Sequence, residues 1–168
     1  MKTFKNKPIT LVGKELQVGD IAPNFKAMNN HLEEVSLSDF KNEYIVINVV
    51  PSLDTPVCDL QTKTVNNELL SVTNIDIKVL TLSNDLPFAQ AKWVINEEFE
   101  GIVTLSDYLY HDFGTKYGLL IKELNLLARE LFVLNAKREI IFKLETNEMT
   151  QHLDYEKLIK FINTLSGK

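Results

Sequence analysis

The chain has 168 residues, of which 45% are hydrophobic and 24% charged, with a net charge of -5; that length and apolar content predict one compact domain over residues 1–168. Acidic and basic residues are interspersed, so no concentrated basic face is available for nucleic acid. The longest apolar stretch, Tyr44–Pro51, is interrupted by Asn48 and too short to span a membrane, and the lysines of Met1–Pro8 are not followed by an apolar region, so the expected location is the cytoplasm.

Near the start, Lys2–Lys5 and Ile9–Val12 flank the turn Asn6-Lys7-Pro8 and predict a small hairpin. Tyr44–Val50 is a β-branched run suited to a strand buried on both faces, and Ile75–Leu82 is a second. Shorter strands are predicted at Ile102–Leu105, Glu130–Leu134 and Glu139–Leu144, the last two joined by the hairpin-length connector Asn135–Arg138 and therefore antiparallel. Helical signals occupy Thr55–Leu70, Pro87–Glu98 and Asp154–Leu165, where Tyr155, Leu158, Ile159, Ile162 and Leu165 form one apolar stripe. This order of elements predicts a thioredoxin-like α/β fold, with a mixed central β-sheet flanked by helices and an N-terminal β-hairpin.

The one cysteine, Cys58, excludes an intramolecular disulfide and stands where the first central strand has run out. Thr55 reads as an N-cap and Pro56 as the first helical residue, which places Cys58 third. That position aims the sulfur at the free N–H groups of the first turn, where a thiolate, the nucleophilic form, is favoured. A lone cysteine is otherwise a small buried hydrophobe, and the helix start brings the two readings level.

Pro51, Thr55 and Cys58 stand in a Pro-x-x-x-Thr-x-x-Cys arrangement that resembles the peroxiredoxins. Pro51–Cys58, Asn84–Gln90, Thr104–Tyr108 and Leu126–Arg129, together with Pro8–Leu11 and Gly19–Phe25, are similar in order and spacing to the thiol peroxidase branch of that superfamily, over essentially the whole chain. The resemblance implies a thiol-dependent peroxidase acting on hydrogen peroxide and organic hydroperoxides. Cys58 would be the peroxidatic thiolate that cycles through sulfenic acid, Thr55 the hydroxyl that meets the peroxide oxygens, and Pro51 the ring that shields the pocket. Arg129 would hold thiolate and peroxide, a role suited to a planar, always charged group. Asp85, Phe88 and Gln90 are read as structural, with Pro87 opening a helix and Phe88 filling core.

In the two-cysteine members of this branch the helix after Leu86–Gln90 carries a resolving cysteine, and the corresponding residue here is Val94. The reductant is therefore thioredoxin or another external thiol, and the resemblance implies a homodimer. His31, His111 and His152 are far apart in sequence and none has a ligand-spaced partner, so neither metal nor cofactor is implied. The alternative functions are a peroxide sensor or relay that passes oxidation from Cys58 to a partner protein and, less favoured because Pro51, Thr55, Cys58 and Arg129 are all present, a non-catalytic interaction module.

Overall fold

The computed structural model describes residues 1–97 and 101–167. Strands β1 (Thr3–Phe4) and β2 (Lys7–Pro8) form the expected N-terminal hairpin. Its turn is Lys5–Asn6, two residues with φ of 50° and 62°, the doubly left-handed geometry whose twist suits a two-residue hairpin. The predicted second arm is divided: Ile9 donates to the Lys2 carbonyl at 3.1 Å, whereas β3 (Leu11–Val12) pairs elsewhere.

Strands β4 (Lys26–Met28) and β5 (Glu34–Ser36) follow, then β6 (Tyr44–Val49), helix α1 (Pro56–Leu70), β7 (Ile77–Ser83) and α2 (Pro87–Glu97). The predicted end of α2 at Glu98 lies outside the described residues. The chain continues through β8 (Val103–Ser106), the short α3 (Asp112–Lys116), β9 (Leu120–Ile121) and β10 (Leu126–Leu127). It closes with β11 (Glu130–Leu134), β12 (Ile140–Glu145) and α4 (Tyr155–Leu165).

Among the described residues a seven-stranded sheet runs β12-β11-β6-β7-β8-β4-β5, and β3, β9 and β10 form a small separate one. Strands β6, β7 and β8 are parallel, as βαβ crossovers require, while β11 and β12 run antiparallel. The result is the thioredoxin-like mixed sheet read from the sequence. Strand alternation sends Ile45, Ile47 and Val49 into a core with Phe25, Phe113, Tyr117 and Phe132, and Val46 into another beneath α1 and α4 with Val65, Leu131, Leu158 and Ile162. The α4 stripe therefore faces the sheet. Among the described residues no helix is long and apolar enough to cross a membrane.

The pairing of β6 with β11 places the site. Strand β6 ends at Val49 and delivers the chain into the loop before α1, while the antiparallel register sets Glu130 opposite Val49. Arg129, just before β11, thereby reaches the start of α1 although the two are far apart in sequence.

Candidate active site

The turn at the end of β6 is tied down from β7. The Asp85 carboxylate accepts from Ser52 Oγ at 2.6 Å, from the Leu53 N–H at 2.8 Å and from Ser83 Oγ at 2.7 Å. Pro51 is buried in this turn. Thr55 occupies the N-cap with extended backbone (φ -118°, ψ 146°), and Pro56 opens α1 where its missing N–H costs no helix bond.

Cys58 is the third helical residue and is fully buried, packed with Val50, Leu53 and Trp93. Trp93 ties α2 to α1 through Nε1 to Asp59 Oδ1 at 2.8 Å. Lys63 repeats the tie, pairing with Asp59 at 2.9 Å and Glu97 at 2.8 Å.

Arg129 is 2% exposed. Its Nη2 donates to Cys58 Sγ at 3.2 Å and to the Met149 carbonyl at 2.9 Å, its Nε to the same carbonyl at 3.0 Å, and its Nη1 to Gln61 Oε1 at 2.8 Å. Gln61 is held in turn, its Nε2 donating to Asn48 Oδ1 at 2.6 Å and to the Val49 carbonyl at 3.2 Å. Asn48 Nδ2 then reaches Thr62 Oγ1 at 3.1 Å and Thr81 Oγ1 at 3.3 Å. A buried network satisfied at each step fixes the guanidinium in place.

Every acceptor of the Arg129 guanidinium except the Cys58 sulfur is an uncharged amide or carbonyl oxygen, and among the described residues no carboxylate lies within ion-pair distance of Arg129. A buried cation without an anion is costly. The group at hand able to carry a negative charge there is Cys58 itself, and the guanidinium is placed to meet an oxygen anion formed beside the sulfur. Tyr155 lines the same region: its hydroxyl is buried without a partner among the described residues. Burial pushes that phenol up, Arg129 pulling against the shift and Cys58 adding to it.

Of the residues predicted from sequence, Cys58 and Arg129 come together. Thr55 is exposed and its hydroxyl donates to the Ser52 carbonyl at 2.9 Å, so it makes no helix-cap bond. The expected approach of first-turn N–H groups to the sulfur is also absent among the described residues, where Arg129 is the donor to Sγ. Gln90 is buried, donating to Ser83 Oγ at 2.9 Å and the Leu105 carbonyl at 3.0 Å, and Asp85 braces the loop, both structural tasks as expected. Phe88 does not fill core: it is 66% exposed, because Pro87 takes the inward position at the start of α2. Gln61, Asn48, Met149 and Tyr155 went unseen in the sequence, although Gln61, three residues beyond Cys58 on the same helix face, carried a signal. His31 and His152 are exposed and His111 is half-buried.

The AhpC/TSA family model matches residues 18–143. The chain belongs to the AhpC/TSA family. Among members of this family, a thiol peroxidase of Listeria innocua is 49% identical over 158 residues, 94% of each chain. One from Bacillus subtilis is 45% identical over 163 residues, covering 97% of this chain and 96% of the relative. The crystal structure of a peroxiredoxin-like protein from Aquifex aeolicus superposes with a TM-score of 0.86 at 32% identity, covering 98% of this chain and 96% of that one. The AhpC/TSA fold therefore carries the Cys58–Arg129 pair at the end of its central strand.

Proposed function

We propose that this chain is a thiol peroxidase that reduces hydroperoxides through Cys58, and that residues 1–168 act as one domain. The observation that carries the proposal is the buried Arg129 guanidinium, 3.2 Å from Cys58 Sγ and lacking a carboxylate partner among the described residues. The thiolate attacks the distal oxygen of ROOH; the S–O bond forms as the O–O bond breaks, and the departing alkoxide takes from solvent the proton that the thiol gave up on ionising and leaves as alcohol, or as water from hydrogen peroxide. Arg129 stabilises the charge that moves from sulfur to the departing oxygen, an effect magnified where water is excluded. Thr55, at the mouth of the loop, turns its hydroxyl from the Ser52 carbonyl to the peroxide, and buried Pro51 keeps water from the sulfur.

The sulfenic acid then condenses with an external thiol, releasing water and leaving a mixed disulfide that a second thiol resolves. Val94 stands on α2 where two-cysteine relatives carry the resolving residue, so both thiols come from outside: thioredoxin or a small thiol. The cytoplasm, where such donors are abundant, is the fitting location. A homodimer fits the exposed apolar side chains Leu86, Phe88, Leu109 and Tyr110, which flank neighbouring strand ends linked by Ser106 Oγ to the Asp85 carbonyl. The relay alternative is not favoured, since the relatives that match nearly the whole chain are peroxidases by name.

A steady-state assay with NADPH, thioredoxin reductase and thioredoxin, repeated with a small dithiol as donor, tests this function. Peroxide-dependent turnover is expected with at least one donor, and none for Cys58→Ser. Turnover that persists in Cys58→Ser, or a parent silent with both donors, contradicts the proposal.

A further inference from the structure

Arg129 is gripped by a segment that is itself gripped by the N-terminal hairpin. The Thr3 N–H donates to the Asn147 carbonyl at 2.7 Å and the Met149 N–H to the Thr3 carbonyl at 2.9 Å, so β1 brackets Glu148 through backbone bonds on both sides. The buried Glu148 carboxylate accepts from Thr3 Oγ1 at 2.6 Å, from the N–H groups of Lys5 and Asn6 at 2.9 Å each, and from Thr150 through its N–H at 3.1 Å and Oγ1 at 2.6 Å. The left-handed turn of the hairpin aims two successive N–H groups at one anion. These bonds hold the carboxyl well below its ordinary range, at about 2, so it stays ionised in any neutral buffer.

The next residue, Met149, is fully buried and holds Arg129 at both ends. Its carbonyl takes Nε and Nη2, and its thioether sulfur accepts the Arg129 backbone N–H at 3.1 Å. An unbroken set of bonds thus runs from the hairpin turn through Glu148 and Met149 to the guanidinium and on to Cys58 Sγ. Nothing in it touches the reacting atoms until Arg129.

We propose that Glu148 is a positioning residue for the peroxidase reaction, fixing residues 147–150 to the N-terminal hairpin so that the Met149 carbonyl sets the Arg129 guanidinium at Cys58 Sγ. The proposal rests on the reading of Arg129 as the group that assists peroxide cleavage. Transition-state assistance is steep in distance, since a misplacement of about 1 Å costs roughly 100-fold. The hairpin, remote from the chemistry, thereby gains a catalytic consequence.

The decisive readout is the ratio of two second-order rates at Cys58 on the same chain: oxidation by hydrogen peroxide, and alkylation by iodoacetamide, whose iodide leaves without help from a guanidinium. A loosened fold changes access for both reagents alike, whereas a displaced guanidinium slows the peroxide selectively. Glu148→Gln is expected to lower the ratio by about 10-fold or more, and to add nothing when Arg129→Met is already present. Thr3→Val, which deletes one donor and keeps the carboxylate, is expected to lower it severalfold and decides the matter if Glu148→Gln does not fold. An unchanged ratio in these variants, or an equal fall with and without Arg129, overturns the proposal. An Arg129→Met chain whose ratio equals the parent's overturns instead the reading of the site, and this inference with it.

Discussion

Arg129 and Glu130 are consecutive and almost wholly buried, at 2% and 1% exposure, yet the fold treats their charges in opposite ways. Strand alternation turns them to opposite faces. Glu130 meets its counter-ions, Lys143 at 3.0 Å and Lys2 at 3.6 Å, and burial pushes its carboxyl up against the pull of both ammonium groups. Arg129 meets amide and carbonyl oxygens and a sulfur. A charge already neutralised serves the fold, while one left without a counter-ion remains available to a thiolate and to an oxygen leaving with negative charge.

The contrast breaks first at its own two residues. Arg129→Met keeps side-chain length and removes the charge, and should slow peroxide oxidation of Cys58 by about 10²- to 10³-fold, the size of one lost pre-organised donor, in stopped-flow mixing. Glu130→Gln should leave that rate within about twofold and instead lower stability by about 1–3 kcal/mol in denaturant unfolding, because Lys143 loses a buried partner while keeping Glu15 at 2.9 Å. A slow Glu130→Gln or a fast Arg129→Met reverses the assignment.

Access to the buried sulfur also decides what becomes of it once oxidised. With one cysteine in the chain, excess peroxide without added thiol should carry Cys58 through sulfenic to sulfinic acid, with a minor intermolecular disulfide. Intact-mass measurement should show a two-oxygen adduct, replaced by a mixed disulfide when a small thiol is added first. A long-lived one-oxygen adduct would mean that the pocket excludes a second oxidant.

Restoring a cysteine tests how firmly the neighbouring helix closes the site. Val94→Cys should form an intramolecular disulfide slowly, because α2 must open against the Trp93–Asp59 bond and the Lys63–Glu97 pair. Adding Trp93→Phe should speed it by about tenfold, one hydrogen bond's worth. Equal rates in the two chains would show that α2 is not held there.

A third buried charge sharpens the comparison. Asp107, 1% exposed, has neither an arginine nor a lysine partner among the described residues and accepts the N–H groups of Phe113 at 2.9 Å and Gly114 at 2.8 Å; burial pushes its carboxyl up to about 6. Between the ordinary carboxyl value of about 3.9 and that one, the folded state binds the extra proton. Its contribution to stability is therefore full below about pH 4 and lost as pH rises through about 6, a span worth about 2–3 kcal/mol. Unfolding of Asp107→Asn at both ends of that window should show a correspondingly weaker decline with pH than the parent.

The central strands and α4 were legible because the β-branched run of Tyr44–Val49 and the stripe of Tyr155–Leu165 need no distant partner to be read, while α1 and α2 were marked by Pro56 and Pro87 at their starts. Strands β4, β5, β9 and β10 are two or three residues long and α3 five, too short to display one. Pro8 draws the expected hairpin turn to Asn6-Lys7-Pro8, later than the observed one, because Lys5 and Asn6 adopt left-handed backbone that lysine rarely signals. At the site, Cys58 and its helix start were local and visible, and Arg129 came with the family resemblance. The grip on Arg129 was invisible because Asn48 reads as a blemish in an apolar run and Met149 as one more hydrophobe. Their partners are set by strand register and loop closure, which no short window contains.

The claim that Arg129 holds a buried charge for which Cys58 supplies the anion is tested most directly by the ultraviolet thiolate absorbance of the parent and of Arg129→Met at neutral pH, each referenced to its Cys58→Ser counterpart. The account predicts a thiolate band in the parent that is lost in Arg129→Met while the fold, followed by near-ultraviolet circular dichroism of Trp93, is retained. A band of equal strength in the correctly folded variant would contradict it.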